Sequence, residues 1–207
     1  MLSPIPAVMI SLGEGKESNI VTVAWTGIIN SKPPMTYISL RPERYSHEIL
    51  QGTWEFVINL TTEQLAAKTD WCGVRSGRDY DKWKETGLTK QAAECVKCPM
   101  IAESPVNIEC RVVEVKELGS HDMFMAEILK VHVDEDIIDE DGRFDLAKAG
   151  LVAYAHGEYY GLKKNPLGRF GYSVMKPKTK KRLSKQAHDK RVAANRAKRT
   201  KRAKTKK

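Results

Sequence analysis

Two short stretches concentrate the side chains that can hold an anion. Arg41-Pro42-Glu43-Arg44-Tyr45-Ser46-His47 combines two guanidinium groups, a hydroxyl and the start of a short helix. A helix start offers N–H groups without intrahelical partners, and its dipole favours negative charge. Arg44 with Ser46 is the pair best suited to a phosphate. The plainer alternative is that Ser46 only caps the helix and that Arg41 and Arg44 face water. Further on, Ser76-Gly77-Arg78 precedes a second short helix in which Asp81 and Lys82 lie side by side. Lys82 is a second candidate for an anion, with Asp81 orienting it or binding backbone. The alternative there is a capping segment with a solvated charge pair.

Other chemistry is thinner. Cys95-Val96-Lys97-Cys98 has the spacing of a metal or redox pair, but no second such pair or nearby His pair completes a tetrahedral zinc set. Cys110 falls on an inward strand position and reads as core, while Cys72 is close enough to the Ser76 segment to approach a site there. With no export signal ahead of them, the four cysteines are expected to be free thiols. No G-x-S-x-G element is present, and the histidines show no arrangement for nucleophilic catalysis. The acidic run Asp134–Asp141 lacks the spaced ligands of a calcium loop.

The elements that must position these residues read mostly as strands. Ala7–Leu12, Asn19–Thr26, Thr36–Leu40 and Glu55–Leu60 are short, apolar or β-branched runs separated by Gly, Pro and Asn. Ser46 is expected to cap a helix over His47–Gln51, with Gly52 as its stop. A helical segment runs from Thr62 to about Thr69, and Asp79 caps another through Glu85 to Gly87. Val106–Val115 and Met123–Val133 alternate as two long strands about a Gly119-Ser120 turn. Leu151–Tyr154 and Glu158–Tyr160 close the series. The fold class is mainly β with α additions, an antiparallel barrel with inserted helices.

The order of these pieces resembles a known family. PIPAVMIS, NIVTVAWTGIINSKPPMTYISLRPERYSHEIL, FVINL, SGRDYDKWKETGLT, NIECRVVEV, GEYYGL and LGRFG together look like the flavin reductase-like proteins, including flavoredoxins. The resemblance spans nearly all of residues 1–175 and implies an FMN-binding split β-barrel. It also implies a homodimer with flavin near the subunit interface. The cofactor-binding residues it points to are Ala24, Trp25, Thr26, Gly27, Arg41, Arg44, Ser46, His47, Asn59, Ser76, Arg78 and Lys82. A flavin ring needs apolar walls with donors along one edge, and Ala24-Trp25-Thr26-Gly27 at a strand end can supply them. A Trp and a Thr there can equally just pack. The activity implied is flavin-dependent electron transfer, with NAD(P)H or a redox protein as donor. No catalytic side chain is named, because hydride transfer between stacked rings depends mainly on position. Without a Gly-rich dinucleotide fingerprint after a strand, FMN is expected in preference to FAD.

Charge divides the chain. Residues 1–175 carry 19 Lys/Arg against 25 Asp/Glu, a net −6, whereas residues 176–207 carry 16 Lys/Arg and one acid, a net +15. The tail has too few apolar residues to build a core. Read alone, it is either a solubilising extension or a segment that binds RNA or DNA. A barrel that merely scaffolds such a tail is the alternative to the flavin reading. Nothing suggests a membrane span, and no signal segment precedes the first strand. The expected address is cytoplasmic.

Overall fold

The structure is a computed structural model that describes residues 2–163, 165–168, 170–186 and 192. The chain falls into two compact units, Met1–Lys164 and Asn165–Lys207. The compositional boundary at 175/176 lies inside the second unit. Residues 177–186 of that unit are helical; most of the basic tail lies outside the described residues.

The first unit is built on one seven-stranded antiparallel sheet. Its strands are β2 (Val8–Leu12), β3 (Asn19–Val23), β4 (Thr26–Ser31), β5 (Pro34–Leu40), β6 (Glu55–Leu60), β9 (Val106–Glu117) and β10 (Asp122–Val133). Their order is β3-β2-β6-β9-β10-β5-β4. Strands β3 and β4 sit at opposite edges, yet only Ala24 and Trp25 separate them in the chain. Two residues cannot cross an open sheet, so the sheet must roll until its edges meet. The Ser39 N–H donates to the Trp25 carbonyl at 2.9 Å, which holds the corner against β5, and no ladder pairs β3 with β4, which leaves the barrel split. The single strand expected over Asn19–Thr26 is therefore two, and the chain turns the barrel's corner at Ala24-Trp25. Lys32-Pro33 forms the turn of the β4–β5 hairpin, and Pro34 begins β5 opposite Ser31.

Alternation sorts the side chains. Val8, Ile10 and Leu12 point into the barrel with Val21, Val23, Ile38, Phe56, Ile58, Cys110 and Phe124. Met9 and Ile20 point out, and meet Leu65, Cys72, Trp83, Leu88 and Ile101 under the helices. Both faces of β2 are thus buried, which is why it reads as a continuous apolar run. Burying each large apolar side chain contributes about 1.5–3 kcal/mol.

Two helices, α2 (Ala66–Val74) and α3 (Lys82–Thr86), cover this outer face, while a third, α1 (Tyr45–Thr53), sends Leu50 into the barrel core. Their ends differ from the sequence expectation. Helix α1 begins after Arg44, passes through Gly52 and ends at Trp54, whose φ of 58° is left-handed. Ser46 is therefore inside the helix rather than its cap. Helix α3 is capped by Asp81, not Asp79; the Asp81 carboxylate accepts from the N–H groups of Trp83 and Lys84 at 3.1 and 3.2 Å. Gly87 ends it with φ 61°, as expected of a C-terminal glycine. Between α3 and β9 lies the short pair β7 (Lys90–Gln91) and β8 (Met100–Ile101). A small second sheet, β1 (Ile5–Pro6), β11 (Val152–Ala155) and β12 (Glu158–Gly161), has the order β1-β11-β12. Among the described residues, no helix is long and apolar enough to cross a membrane.

Candidate functional site

Strand β3, the Ala24-Trp25 corner, the end of β5, helix α2 and the β11–β12 hairpin enclose a groove. Its first compartment, about 520 Å³, is walled by Val21, Val23, Ala24, Trp25, Leu40 and Val74, with Tyr154, Tyr159 and His121 at its rim. Trp25 stacks on His121 with ring centroids 5.6 Å apart and planes 23° apart. Tyr154 and Tyr159 meet edge to face at 5.2 Å, and the Tyr159 hydroxyl donates to Asp70 at 3.3 Å. Burial, with Asp70 adding to it, pushes the Tyr159 hydroxyl up to about 12, so it remains a neutral donor. The compartment is broad, mostly apolar and edged by planar groups.

The second compartment, about 440 Å³, shares Val21, Arg41 and Arg44 with the first, so the two form one groove. Here the lining turns cationic. Arg41, Arg44, Arg75 and Lys82 face it with Ser46 and Ser76, against Glu43 as the one carboxylate. Two of the cations rest on the last turn of α2. Arg44 Nη1 donates to the Gly73 carbonyl at 3.2 Å, and Lys82 Nζ to the Cys72 carbonyl at 2.7 Å. Helix C-termini favour such cations. Lys82 is buried, and burial above all, with Arg44 adding to it, brings its ammonium down to about 8. An incoming anion would offset both effects. Asn19 joins the two ends of the sequence motif: its Nδ2 donates to Ser46 Oγ at 3.0 Å. Gly77 must be glycine here, since a Cβ on it would lie 2.4 Å from Asn19 Oδ1.

The structure thus gathers seven of the residues singled out in the sequence. Ala24 and Trp25 line the first compartment, Arg41 and Arg44 line both, and Ser46, Ser76 and Lys82 line the second. Arg78 stands further along the same groove, held by Glu48 at 2.9 Å and by the Glu43 carbonyl. The remaining four lie outside it. Thr26 Oγ1 donates to the Tyr37 carbonyl at 2.7 Å, and Gly27 packs under the Tyr37 ring. His47 is buried against Asp122 at 2.7 Å and Phe124; it pins the start of β10, and with it His121. Asn59 is fully buried: its Nδ2 donates to the Met9 carbonyl and Ser11 Oγ, and its Oδ1 accepts from Ile101 N–H and Asn107. It fastens β2, β6 and β8 together. Cys72 lies in the outer core and lines neither compartment; burial pushes its thiol up to about 11. All four cysteines are free thiols.

Sequence reasoning missed His121, Asp70, Arg75, Tyr154 and Tyr159 as site residues. The two tyrosines sit in strands that were legible, but nothing local shows that their hairpin folds back over β3. His121 follows a turn signal, and only the pairing of β10 with β5 brings it to Trp25.

Residues 3–163 match the flavin reductase like domain family. The chain belongs to that family. The structure is similar to flavoredoxin of Desulfovibrio vulgaris (Miyazaki F), with a TM-score of 0.78 and 30% identity over 84% of this chain and 94% of that one. A flavoredoxin from Methanosarcina acetivorans has a TM-score of 0.75 and 26% identity, covering 84% and 95%. In sequence, an uncharacterised protein of Pyrococcus abyssi is 27% identical over 159 residues, 77% of this chain and 91% of that protein. The split barrel expected from the sequence is therefore the fold of this family.

Proposed function

We propose that this protein is an FMN-dependent oxidoreductase. The observation that carries the reading is the change of character along one groove, from an apolar, aromatic-edged compartment to a cationic one, with Arg41 and Arg44 bordering both. That is the pattern of a flat ring joined to a phosphate. Bound FMN supplies the redox chemistry, accepting and passing on a hydride or electrons. The protein's residues do the rest. Val21, Val23 and Ala24 exclude water from one side, while Trp25 and His121 present planar surfaces at the mouth. Arg44, Ser76 and the Lys82 ammonium hold the anionic end, and Tyr159, kept protonated against Asp70, supports the wall opposite. No acid–base group is required of the chain, because its task is to hold two reacting rings in register.

The electron donor in this reading is a reduced nicotinamide nucleotide or a redox protein. The assembly is a homodimer, favoured by Trp25 at the mouth of the first compartment and by Ile28 on the edge strand β4, 53% and 84% solvent-exposed in the single chain. The reading is tested by adding FMN to the protein and recording the bound flavin spectrum, then adding NADH without oxygen. Retained flavin that bleaches supports it; flavin that washes through on gel filtration, unperturbed at saturating protein, refutes it.

A second reading concerns residues 176–207. Their charge of +15 beside a body of −6 favours a tail that holds a polyanion such as RNA by counterion release. It adds to the flavin reading and does not replace it.

A further inference from the structure

His47 and Asp122 line neither compartment of the groove, yet they sit where its parts are joined. His47 is 5% exposed and Asp122 7%. The imidazole Nε2–H donates to Asp122 Oδ2 at 2.7 Å, and the ring meets Phe124 edge-on. The two residues come from different parts of the chain. His47 lies in the first turn of α1, directly after Ser46. Asp122 opens β10, directly after His121.

Asp122 grips the chain at two points. Its backbone pairs with Leu40, the last residue of β5, and its carboxylate accepts from His47. Between those points runs Arg41–Ser46, the segment that brings Arg41, Arg44 and Ser46 to the cationic compartment. The His47–Asp122 bond therefore closes this segment into a loop with both ends fixed on one residue. The same residue serves the mouth. His121 stacks on Trp25, its Nδ1 lies 3.0 Å from Ser120 Oγ, and its carbonyl accepts from the Leu118 N–H at 3.0 Å. Trp25 in turn hangs from β5 through the Ser39 N–H. Both planar groups at the mouth are thus attached to the end of β5 that Asp122 clamps.

A buried imidazole–carboxylate pair is a poor source of stability. Stripping water from both groups offsets their attraction, and two well-packed apolar side chains would hold the same elements as firmly. What apolar packing lacks is direction. A short hydrogen bond in a dry setting fixes one orientation of α1 against β10. We propose that His47 and Asp122 are positioning residues of the site: their bond sets the Arg41–Ser46 turn for the anion and holds His121 against Trp25, so that the cationic end and the mouth keep one register. The proposal rests on the flavin reading above and adds to it two residues that touch no ligand.

The experiment compares the full-length wild type with two variants. His47→Gln keeps an N–H donor for Asp122. The double replacement His47→Leu with Asp122→Leu removes the pair without leaving a buried charge, and its melting curve is expected to stay close to wild type. In calorimetry the double variant is expected to bind FMN roughly fivefold or more weakly, the loosening of one charged phosphate contact, and riboflavin within about twofold. His47→Gln is expected to keep both flavins within about twofold. NMR of the flavin-free proteins reads the mouth. The His121 ring and Trp25 indole signals are expected to move in the double variant and to stay in His47→Gln, while the indole of Trp83, buried under the helices, stays in both. Unchanged FMN affinity, equal losses for FMN and riboflavin, unmoved His121 and Trp25 signals, a double variant that does not fold, or His47→Gln as impaired as the double variant would each overturn the proposal while leaving the flavin site standing. Failure of the wild type to bind either flavin would overturn the flavin reading and this one together.

Discussion

Replacing Arg44 by alanine isolates the contribution of the phosphate end. Arg44 borders both main compartments and is steered by one bond to the Gly73 carbonyl at 3.2 Å. A charged hydrogen bond to phosphate is worth about 1.5–3 kcal/mol. At about 1.4 kcal/mol per factor of ten, that is roughly 10- to 150-fold in Kd. Two features place the effect near the lower end. Arg44 is exposed, so water and salt screen it. Its removal also lifts one of the influences that lower Lys82, and the lysine then holds its proton more firmly. The expected result is about tenfold weaker FMN, riboflavin changed less than twofold, and a shallower salt dependence. Calorimetry at two ionic strengths reads all three. An unchanged Kd for FMN would mean that Arg44 faces solvent. An equal loss for FMN and riboflavin would mean that it shapes the ring compartment instead.

Other perturbations follow from the same structure. Lys82 titrates near 8 and its charge favours a bound phosphate, so FMN affinity should fall as pH rises through that region; Lys82→Gln should flatten the profile, with riboflavin binding flat in both proteins. Glu109 is fully buried; burial pushes its carboxyl up, but the N–H groups of Glu94, Cys95 and Val96 with His132 outweigh this and hold it below the usual range. A lowered carboxyl adds stability at neutral pH that is lost as pH falls through the carboxylate range. Glu109→Gln should therefore lower Tm by about 10 °C at neutral pH, from roughly 3–5 kcal/mol for a broken buried pair, and by less in acid; a Tm within a degree or two of wild type would refute the anchoring role. Deleting residues 176–207 should abolish retention on heparin and binding of RNA at low salt while leaving flavin affinity unchanged. Loss of flavin on deletion would show that the tail belongs to the barrel or its assembly.

The strands were legible because β-branched alternation reports directly on a two-faced sheet, and β9 and β10 read almost to their ends. The corner was not legible. Nothing in Asn19–Thr26 distinguishes a continuous strand from one that turns at Ala24-Trp25, because the turn is imposed by closure of the whole sheet. The same limit governs the site. Arg41, Arg44, Ser76 and Lys82, which line the cationic compartment, were legible because cations and hydroxyls near helix starts carry their chemistry in local sequence. Ser46, expected as a helix cap, is instead buried in the first turn of α1, where it accepts from Asn19 and lines the cationic compartment. Asn59 and His47 were named through the family resemblance, and in the structure each completes a buried network between elements. Tyr154, Tyr159 and His121 depend on long-range pairing that periodicity does not encode.

The central claim is the placement of one flavin along one groove, and a crystal structure of the protein with FMN tests it most directly. The account expects the ring beside Val23, Ala24 and Trp25, and phosphate oxygens within hydrogen-bonding distance of Arg44 and of Ser76 or Lys82. FMN bound elsewhere, or seated with its phosphate in the aromatic compartment and its ring among the arginines, would contradict it.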